Sequence, residues 1–151
     1  YLNIHNVLLY EKMINDFIKL NVDILGIWTS LKASDKYPFS KSERDLINKI
    51  REAMTKDNLN NEVLYKYGLY VNSIAGTLKG IDKKKITNKY NALPITNKND
   101  IEVTSKDIMN ILNRNGGEYL RNIYNDLTSM ILNEKIENNK ETLEKYIVSN
   151  Y

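Results

Sequence analysis

The stretch S-K-D-I-M-N-I-L-N-R-N-G-G-E-Y-L-R-N-I-Y-N-D-L, from Ser105 to Leu127, decides the fold of this chain. Apolar residues recur at helical spacing on both sides of the Gly116-Gly117 pair, which predicts two helices joined by a tight break. Arg114 precedes the break, and Arg121 lies in the first turn of the second helix. The corner therefore either reverses the chain only, or also holds an anion.

The same periodicity extends over nearly the whole chain of 151 residues. Its two prolines, Pro38 and Pro94, both lie between periodic segments, where a missing amide donor does least harm. No segment shows the alternation of a strand. We therefore expect an all-α fold without a sheet, in which a helical body is followed by a small helical tail domain.

Helix ends are also visible in the sequence. Gly80 is a predicted helix end, since glycine accepts the left-handed conformation. Three pairs have the spacing by which a polar side chain and an acid three residues later cap a helix start, namely Ser40 with Glu43, Thr104 with Asp107, and Asn138 with Glu141.

A polar link predicts the domain boundary. Lys83-Lys84-Lys85 is placed in this link, and the proline-containing segment 90–100 follows it. We therefore predict a body-like domain over residues 1–92 and a tail-like domain over residues 93–151.

Composition excludes several classes of protein. Cysteine is absent, so thiolate nucleophiles, disulfides and cysteine metal sites are excluded. Hydrophobic residues make up 42% of the chain, enough for a core, and the net charge of +3 weakly favours a polyanionic partner. No apolar run approaches the roughly 18 residues of a membrane span. We expect no membrane partner and a cytoplasmic location.

No catalytic constellation is evident. His5 is the single histidine, so a triad or a two-histidine metal site would have to be built around it alone. Acidic pairs such as Glu134 with Glu137 have the spacing of solvated helix faces. Phosphate-binding loop patterns are also missing. We expect no catalytic residue and no metal ligand in this chain.

The corner is the most informative candidate for binding. Gly116 and Gly117 leave the backbone bare at a helix start, where free amides favour an anion. Arg114 and Arg121 flank the break, and Lys106 begins the neighbouring helix. We predict these five residues as RNA-phosphate contacts. Weaker candidates are Lys98, Lys83, Lys84 and Lys85. On local chemistry alone, a helix C-cap with a tight turn and solvent-facing arginines is the simpler interpretation.

Three segments in order resemble the C-terminal region of a bacterial CCA-adding enzyme (tRNA nucleotidyltransferase) of the Gram-positive type: V-T-S-K-D-I-M, N-G-G-E-Y-L-R and I-L-N-E-K-I-E-N-N-K-E-T-L. That family typically has a Gly-Lys-Asp-Leu helix start, a Gly-Gly-Pro-Trp turn and a Val/Ile-x-Gly-x-Leu-x-Asn-x-Lys-Glu stretch. Upstream, L-P-I-T-N-K-N-D-I-E-V and L-Y-K-Y-G-L are also similar to it. The chain departs from the pattern at Ser105, at Glu118-Tyr119 and at Glu134.

The resemblance implies part of a four-part enzyme, which has a catalytic head with two metal-binding carboxylates, a neck that selects CTP or ATP, and a helical body and tail. This chain resembles the body and tail, so we expect a fragment whose N-terminal catalytic half acts in cis. The family implies Mg²⁺ with CTP and ATP for the full-length parent, and no cofactor for this chain. It implies tRNA as the partner, held at the acceptor–T stem and elbow.

Two other classes remain open. The chain could be a stand-alone helical module that binds protein and has no affinity for RNA. It could also be a helix-turn-helix DNA reader with residues 118–132 as its recognition helix, although few residues there suit base edges beyond Arg121, Asn122 and Asn125.

Overall fold

The computed structural model describes residues 38–151 together with Gly26, Trp28 and Thr29. Predictions that concern the other residues, including His5, lie outside this described part. Its residues form six α-helices and no strand, which confirms the all-α fold class. The helices are α1 (Lys41–Met54), α2 (Asn61–Leu78), α3 (Lys83–Asn91), α4 (Ser105–Leu112), α5 (Glu118–Leu132) and α6 (Lys140–Asn150).

The chain divides into two compact units, Tyr1–Asn91 and Ala92–Tyr151. Helices α1 to α3 belong to the first unit, and α4 to α6 belong to the second. A short 3₁₀ helix, Lys98–Asp100, precedes α4. None of the helices in the described residues is both long and apolar enough to cross a membrane.

In the first unit, α1 begins at the predicted capping box. The Ser40 hydroxyl accepts the Glu43 amide at 3.2 Å, and the Glu43 carboxylate accepts the Ser40 amide at 2.8 Å. These two bonds satisfy amides that a helix start otherwise leaves free. One face of α1 then packs on α2 in a core made of Ile50, Ala53, Val71, Ile74 and Ala75.

Helix α2 contains a kink at Gly68, whose φ of 76° and ψ of 174° are not helical. The buried Asn72 side chain stabilises this kink by donating to the carbonyls of Val63 and Gly68, at 3.1 and 2.8 Å. Asn58, also buried, donates to the Asn72 side-chain oxygen at 2.9 Å. The kink is therefore fixed by polar groups in the interior of the unit.

The prediction that Lys83-Lys84-Lys85 lies in a polar link is wrong, because these residues form the first turn of α3. Helix α2 ends at the predicted glycine, since Gly80 has a φ of +85°. Asp82 then accepts the Lys84 amide at 2.9 Å and starts the next helix. The single buried side chain of α3, Ile86, packs on α2 at Gly76, which fixes α3 in place.

The second unit has its own apolar core. Its fully buried side chains include Ile95, Val103, Ile108, Ile123, Leu127, Ile131, Leu132, Leu143 and Ile147. Helix α4 begins at the predicted capping box, in which Thr104 and Asp107 exchange hydrogen bonds. Among the apolar residues of α4, Ile108 is buried, whereas Ile111 and Leu112 are half-buried.

The predicted cap of the last helix is wrong by one residue. Asn139, not Asn138, accepts the Thr142 amide at 2.9 Å and starts α6. Asn138 instead connects distant parts of the unit, because it donates to the Asp100 carbonyl at 2.7 Å and accepts the Glu102 amide at 3.1 Å.

Helix α6 is attached to α5 by a shared carboxylate. The hydroxyls of Tyr146 and Tyr151 both donate to one oxygen of Asp126, at 2.9 and 2.8 Å. The hydrogen bond to Asp126 raises the pKa of Tyr146 above its ordinary value. Burial together with the same carboxylate raises the pKa of Tyr151 to about 12. Both phenols therefore stay protonated, and keep these bonds, at neutral pH.

Candidate nucleic-acid interface

The corner after α4 is closed by an asparagine. Asn113 adopts the left-handed conformation with a φ of 49°, and the Arg114 amide donates to the Met109 carbonyl at 3.0 Å. This is the position that glycine usually occupies at a helix end. The interpretation of the glycines as the C-cap is therefore wrong, and their role must come from another property.

Neither glycine of the corner is required by the protein itself. The φ angles of Gly116 and Gly117 lie outside the left-handed region, so an L-residue would not be strained there. A Cβ atom at Gly116 would lie 3.6 Å from the Met109 sulfur, and one at Gly117 would lie 3.4 Å from the Tyr119 ring. Both distances are ordinary van der Waals contacts. The remaining property of the two glycines is an accessible backbone.

Helix α5 begins without a side-chain cap. Gly117 is its N-cap residue and offers no oxygen to the first turn. The Leu120 amide bonds the Gly117 carbonyl at 3.2 Å, whereas the amides of Glu118 and Tyr119 have no acceptor among the described residues. Free amides at a helix start favour a bound anion. The Glu118 carboxylate lies in the same turn and partly opposes that preference.

Arg114 stands beside this helix start. Its guanidinium lies over the Tyr119 ring at 4.4 Å from the ring centre, and the Tyr119 hydroxyl donates to the Arg114 carbonyl at 3.2 Å. Within the described part of the chain, no carboxylate lies at ion-pair distance from Arg114 or from Arg121. Both side chains are on exposed residues. Two cations at the corner are therefore available to an external anion.

A second cation lies over a tyrosine in the same unit. The Lys98 ammonium is 3.9 Å from the centre of the Tyr124 ring, and the buried Tyr124 donates its hydroxyl proton to the Val103 carbonyl at 3.1 Å. The Ser105 hydroxyl lies 3.4 Å from the same phenol oxygen, so Lys98 lies close to the start of α4. Lys106 follows directly in α4, where it is exposed.

The start of α4 is already occupied by a carboxylate of the chain. Hydrogen bonds from the side chain and backbone of Thr104, together with Lys140 at 3.1 Å, lower the pKa of Asp107 to about 2. Asp107 is therefore ionised at neutral pH and complements the positive end of the helix dipole. Of the two helix starts in this region, that of α5 is the better anion site.

The remaining candidates are in the first unit. Lys83, Lys84 and Lys85 are exposed in the first turn of α3, which contains no acidic residue. Positive charge at this end of a helix is unfavourable, because the dipole is also positive there. These lysines therefore do not stabilise α3 through the dipole.

Sequence reasoning identified the cations but missed the tyrosines that hold two of them. Tyr119 follows Arg114 by five residues across a turn, and Tyr124 is separated from Lys98 by the whole of α4. The Gly-Gly corner between Arg114 and Tyr119 was the available signal for the first pair. No sequence pattern indicated the contact between Lys98 and Tyr124. Among the described residues, no three His, Asp or Glu side chains group as metal ligands.

Residues 12–147 match the family model described as tRNA nucleotidyltransferase domain 2. The match covers most of the 151 residues, so the chain belongs to this family. The predicted resemblance to bacterial CCA-adding enzymes is confirmed.

Individual relatives agree with this family. Over 135 residues the chain is 22% identical to the CC-adding tRNA nucleotidyltransferase of Halalkalibacterium halodurans. This alignment covers 81% of this chain and 36% of that protein. Over 94 residues it is 24% identical to the CCA-adding enzyme of Anoxybacillus flavithermus, with 59% of this chain and 24% of that protein covered. The chain thus spans only about a quarter to a third of the relatives' length.

A solved structure shows the same fold. The crystal structure of the Bacillus stearothermophilus CCA-adding enzyme in complex with CTP superposes with a TM-score of 0.72 and 17% sequence identity. The superposition covers 86% of this chain and 38% of that one. The chain is therefore a helical tRNA nucleotidyltransferase domain related to CCA-adding enzymes.

Proposed function

We propose that this chain is the tRNA-docking portion of a CCA-adding tRNA nucleotidyltransferase. It binds the acceptor–T stem and elbow of tRNA, while an N-terminal half in cis transfers CMP and AMP to the 3′ end with Mg²⁺, CTP and ATP. Membership of the tRNA nucleotidyltransferase family supports this proposal. We also infer a cytoplasmic location, since tRNA is the substrate.

The observation that carries the proposal is the exposed corner between α4 and α5. Two arginines without carboxylate partners in the described residues flank a glycine pair that the fold itself does not require. A guanidinium offers fork-shaped donors to phosphate oxygens, and backbone amides are common phosphate contacts. A glycine backbone allows a phosphate group to approach closely. The corner is therefore suited to an RNA backbone.

The other cations add to this in a sequence-independent way. Lys98 and Lys106 lie near the start of α4, and the lysine run of α3 is exposed in the first unit. Binding through phosphates does not depend on base identity, and it weakens with salt as counterions are released. A chain that docks many different tRNAs requires this behaviour.

The test is a titration of the chain with a minihelix of the tRNA acceptor and T stems, at low and moderate salt. The variant Arg114→Glu/Arg121→Glu should bind more weakly, and the slope of log affinity against log salt should fall by about one per lost phosphate contact. The matched control is Lys41→Glu/Lys49→Glu, because both lysines are exposed on α1 and lie outside the candidate set.

Salt-sensitive binding that the arginine variant loses and the lysine control retains supports the proposal. Equal affinity of the arginine variant and the unchanged chain removes the corner from the interface. Absence of minihelix binding at low salt contradicts RNA docking and favours a protein-binding module instead.

A further inference from the structure

Arg114 differs from the other candidate contacts because it is held at three points. Its amide donates to the Met109 carbonyl at 3.0 Å, and its carbonyl accepts the Tyr119 hydroxyl at 3.2 Å. Its guanidinium lies 4.4 Å from the centre of the Tyr119 ring. A single side chain, Tyr119, thus fixes both the backbone and the charged end of Arg114.

We propose that Tyr119 is a positioning residue that holds the Arg114 guanidinium ready for a backbone phosphate of RNA. This inference rests on the proposed function and deepens it. The Tyr119 ring contacts the guanidinium at 4.4 Å from the ring centre, and the described residues accept no hydrogen bond from the guanidinium N–H groups. These donors therefore remain available to phosphate oxygens. The hydroxyl fixes the residue from which the side chain extends.

The physical benefit is pre-organisation. An arginine side chain has many rotamers, and immobilising it on binding costs conformational entropy. The contact with Tyr119 restricts the Arg114 side chain before RNA arrives, so less conformational entropy is lost in the complex. Arg121, in contrast, makes no such contact in the described part of the chain. We therefore expect Arg114 to contribute more to RNA affinity than Arg121, although both carry the same charge.

An alternative is that the contact between Tyr119 and Arg114 only stabilises the turn. In that case, changing Tyr119 should lower protein stability, and its effect on RNA binding should be the same whether or not Arg114 is present. The two roles are separated by a double-mutant cycle, because residues that act through each other have non-additive effects.

The cycle uses the full chain with Arg114→Ala, Tyr119→Leu and the double variant, titrated with the same minihelix at low salt. Arg114→Ala should weaken binding about ten-fold, the loss expected for a charge-assisted hydrogen bond. Tyr119→Leu should weaken it two- to five-fold, the equivalent of about 0.5–1 kcal/mol for an exposed cation–π contact. In the Arg114→Ala background, Tyr119→Leu should have no further effect.

Tyr119→Phe keeps the ring and loses only the hydroxyl, so it is the conservative variant that should restore most of the affinity. Thermal unfolding shows whether Tyr119→Leu is folded, and if it is not, Tyr119→Phe still tests the contribution of the hydroxyl. NMR gives a direct check in the free protein, since the ring current of Tyr119 should shift the Arg114 side-chain N–H signal and Tyr119→Leu should remove that shift.

The inference is overturned if Tyr119→Leu weakens binding by the same factor in both backgrounds, or if Tyr119→Leu and the unchanged chain bind equally. In either case the unchanged chain still binds RNA, and the proposed function stands. If the unchanged chain does not bind the minihelix at all, both the proposed function and the inference fail.

Discussion

The packing of α3 on α2 predicts that Gly76→Ala lowers stability in the unchanged chain but raises it when Ile86 is replaced by Val. A Cβ atom at Gly76 would lie 2.3 Å from the Cδ1 atom of Ile86, which is fully buried. Carbon atoms in contact prefer about 3.5–4.0 Å, so Gly76→Ala forces Ile86 to move by more than 1 Å. Overpacking of this kind costs about 1–3 kcal/mol, against about 1 kcal/mol at most gained from helix propensity. We expect a net loss of roughly 1 kcal/mol.

Ile86→Val removes the conflicting Cδ1 atom. The atoms nearest to the new Cβ are then Ile86 Cγ1 and Asn58 Cβ, at the ordinary contact distances of 3.5 and 3.6 Å. In this background only the propensity term remains, so Gly76→Ala should stabilise the protein by up to about 1 kcal/mol. Ile86→Val alone should cost about 0.5–1.5 kcal/mol.

Urea unfolding of the four proteins, followed by circular dichroism, measures these free energies, and unchanged m values allow the midpoints to be compared. A coupling of about 1–3 kcal/mol between the two positions is the expected result. Additive effects would refute the reasoning, because they would mean that α3 does not pack on α2 through Gly76.

Three further predictions follow from the glycines and from one carboxylate. Gly68→Ala should destabilise the chain by about 1–3 kcal/mol in urea unfolding, because a φ of 76° with a ψ of 174° is nearly restricted to glycine. Steric overlap is not the cause, since a Cβ atom there meets nothing within 4 Å. A neutral effect would contradict this backbone conformation at the kink. Gly116→Ala, in contrast, should change the free energy of unfolding by less than about 0.5 kcal/mol but weaken minihelix binding, because its Cβ covers the exposed backbone; unchanged binding removes Gly116 from the interface. The pKa of Asp107 is lowered from 3.8 to about 2, so this group contributes stability that is present above about pH 4 and is lost as the pH falls towards 2. Thr104→Val should raise that pKa towards 3.8 in an NMR titration, and an unchanged pKa would show that the capping box does not cause the shift.

The helix starts show how far local chemistry reaches. Ser40 with Glu43 and Thr104 with Asp107 form the predicted capping boxes, because each needs only residues within one turn. The prediction failed at Asn138, where the next residue, Asn139, can cap equally well. Asn138 instead forms hydrogen bonds with Glu102 and Asp100, which are 36 and 38 residues away in the sequence. No local pattern reveals such contacts.

Helix α3 was missed for the same physical reason. Its sequence K-K-K-I-T-N-K-Y-N has a single buried position, so it shows no apolar periodicity. The helix forms because Ile86 fits against the bare backbone of Gly76 on α2. Tertiary packing thus determines this helix, because the intrinsic helix propensity of so short a segment does not stabilise it alone.

The candidate interface was predictable in charge but not in geometry. Composition and motif order pointed to Arg114, Arg121 and the glycine pair, since these residues are neighbours in sequence. The left-handed Asn113 and the contact between Arg114 and Tyr119 depend on how the turn closes. Because Asn113 closes the end of α4, the two glycines are not needed as its cap, and their backbone stays exposed.

The distribution of charge at helix starts gives one more argument for a polyanionic partner. At α4, Asp107 lies in the first turn and complements the helix dipole, as stability alone requires. At α3, only Asp82 precedes the helix, and Lys83, Lys84 and Lys85 fill its first turn against the dipole. Three lysines against one capping carboxylate leave the start of α3 with an excess of positive charge, which is an electrostatic cost because the helix dipole is also positive there. An RNA phosphate near these lysines would offset that cost in the complex, because it adds the negative charge that the first turn lacks.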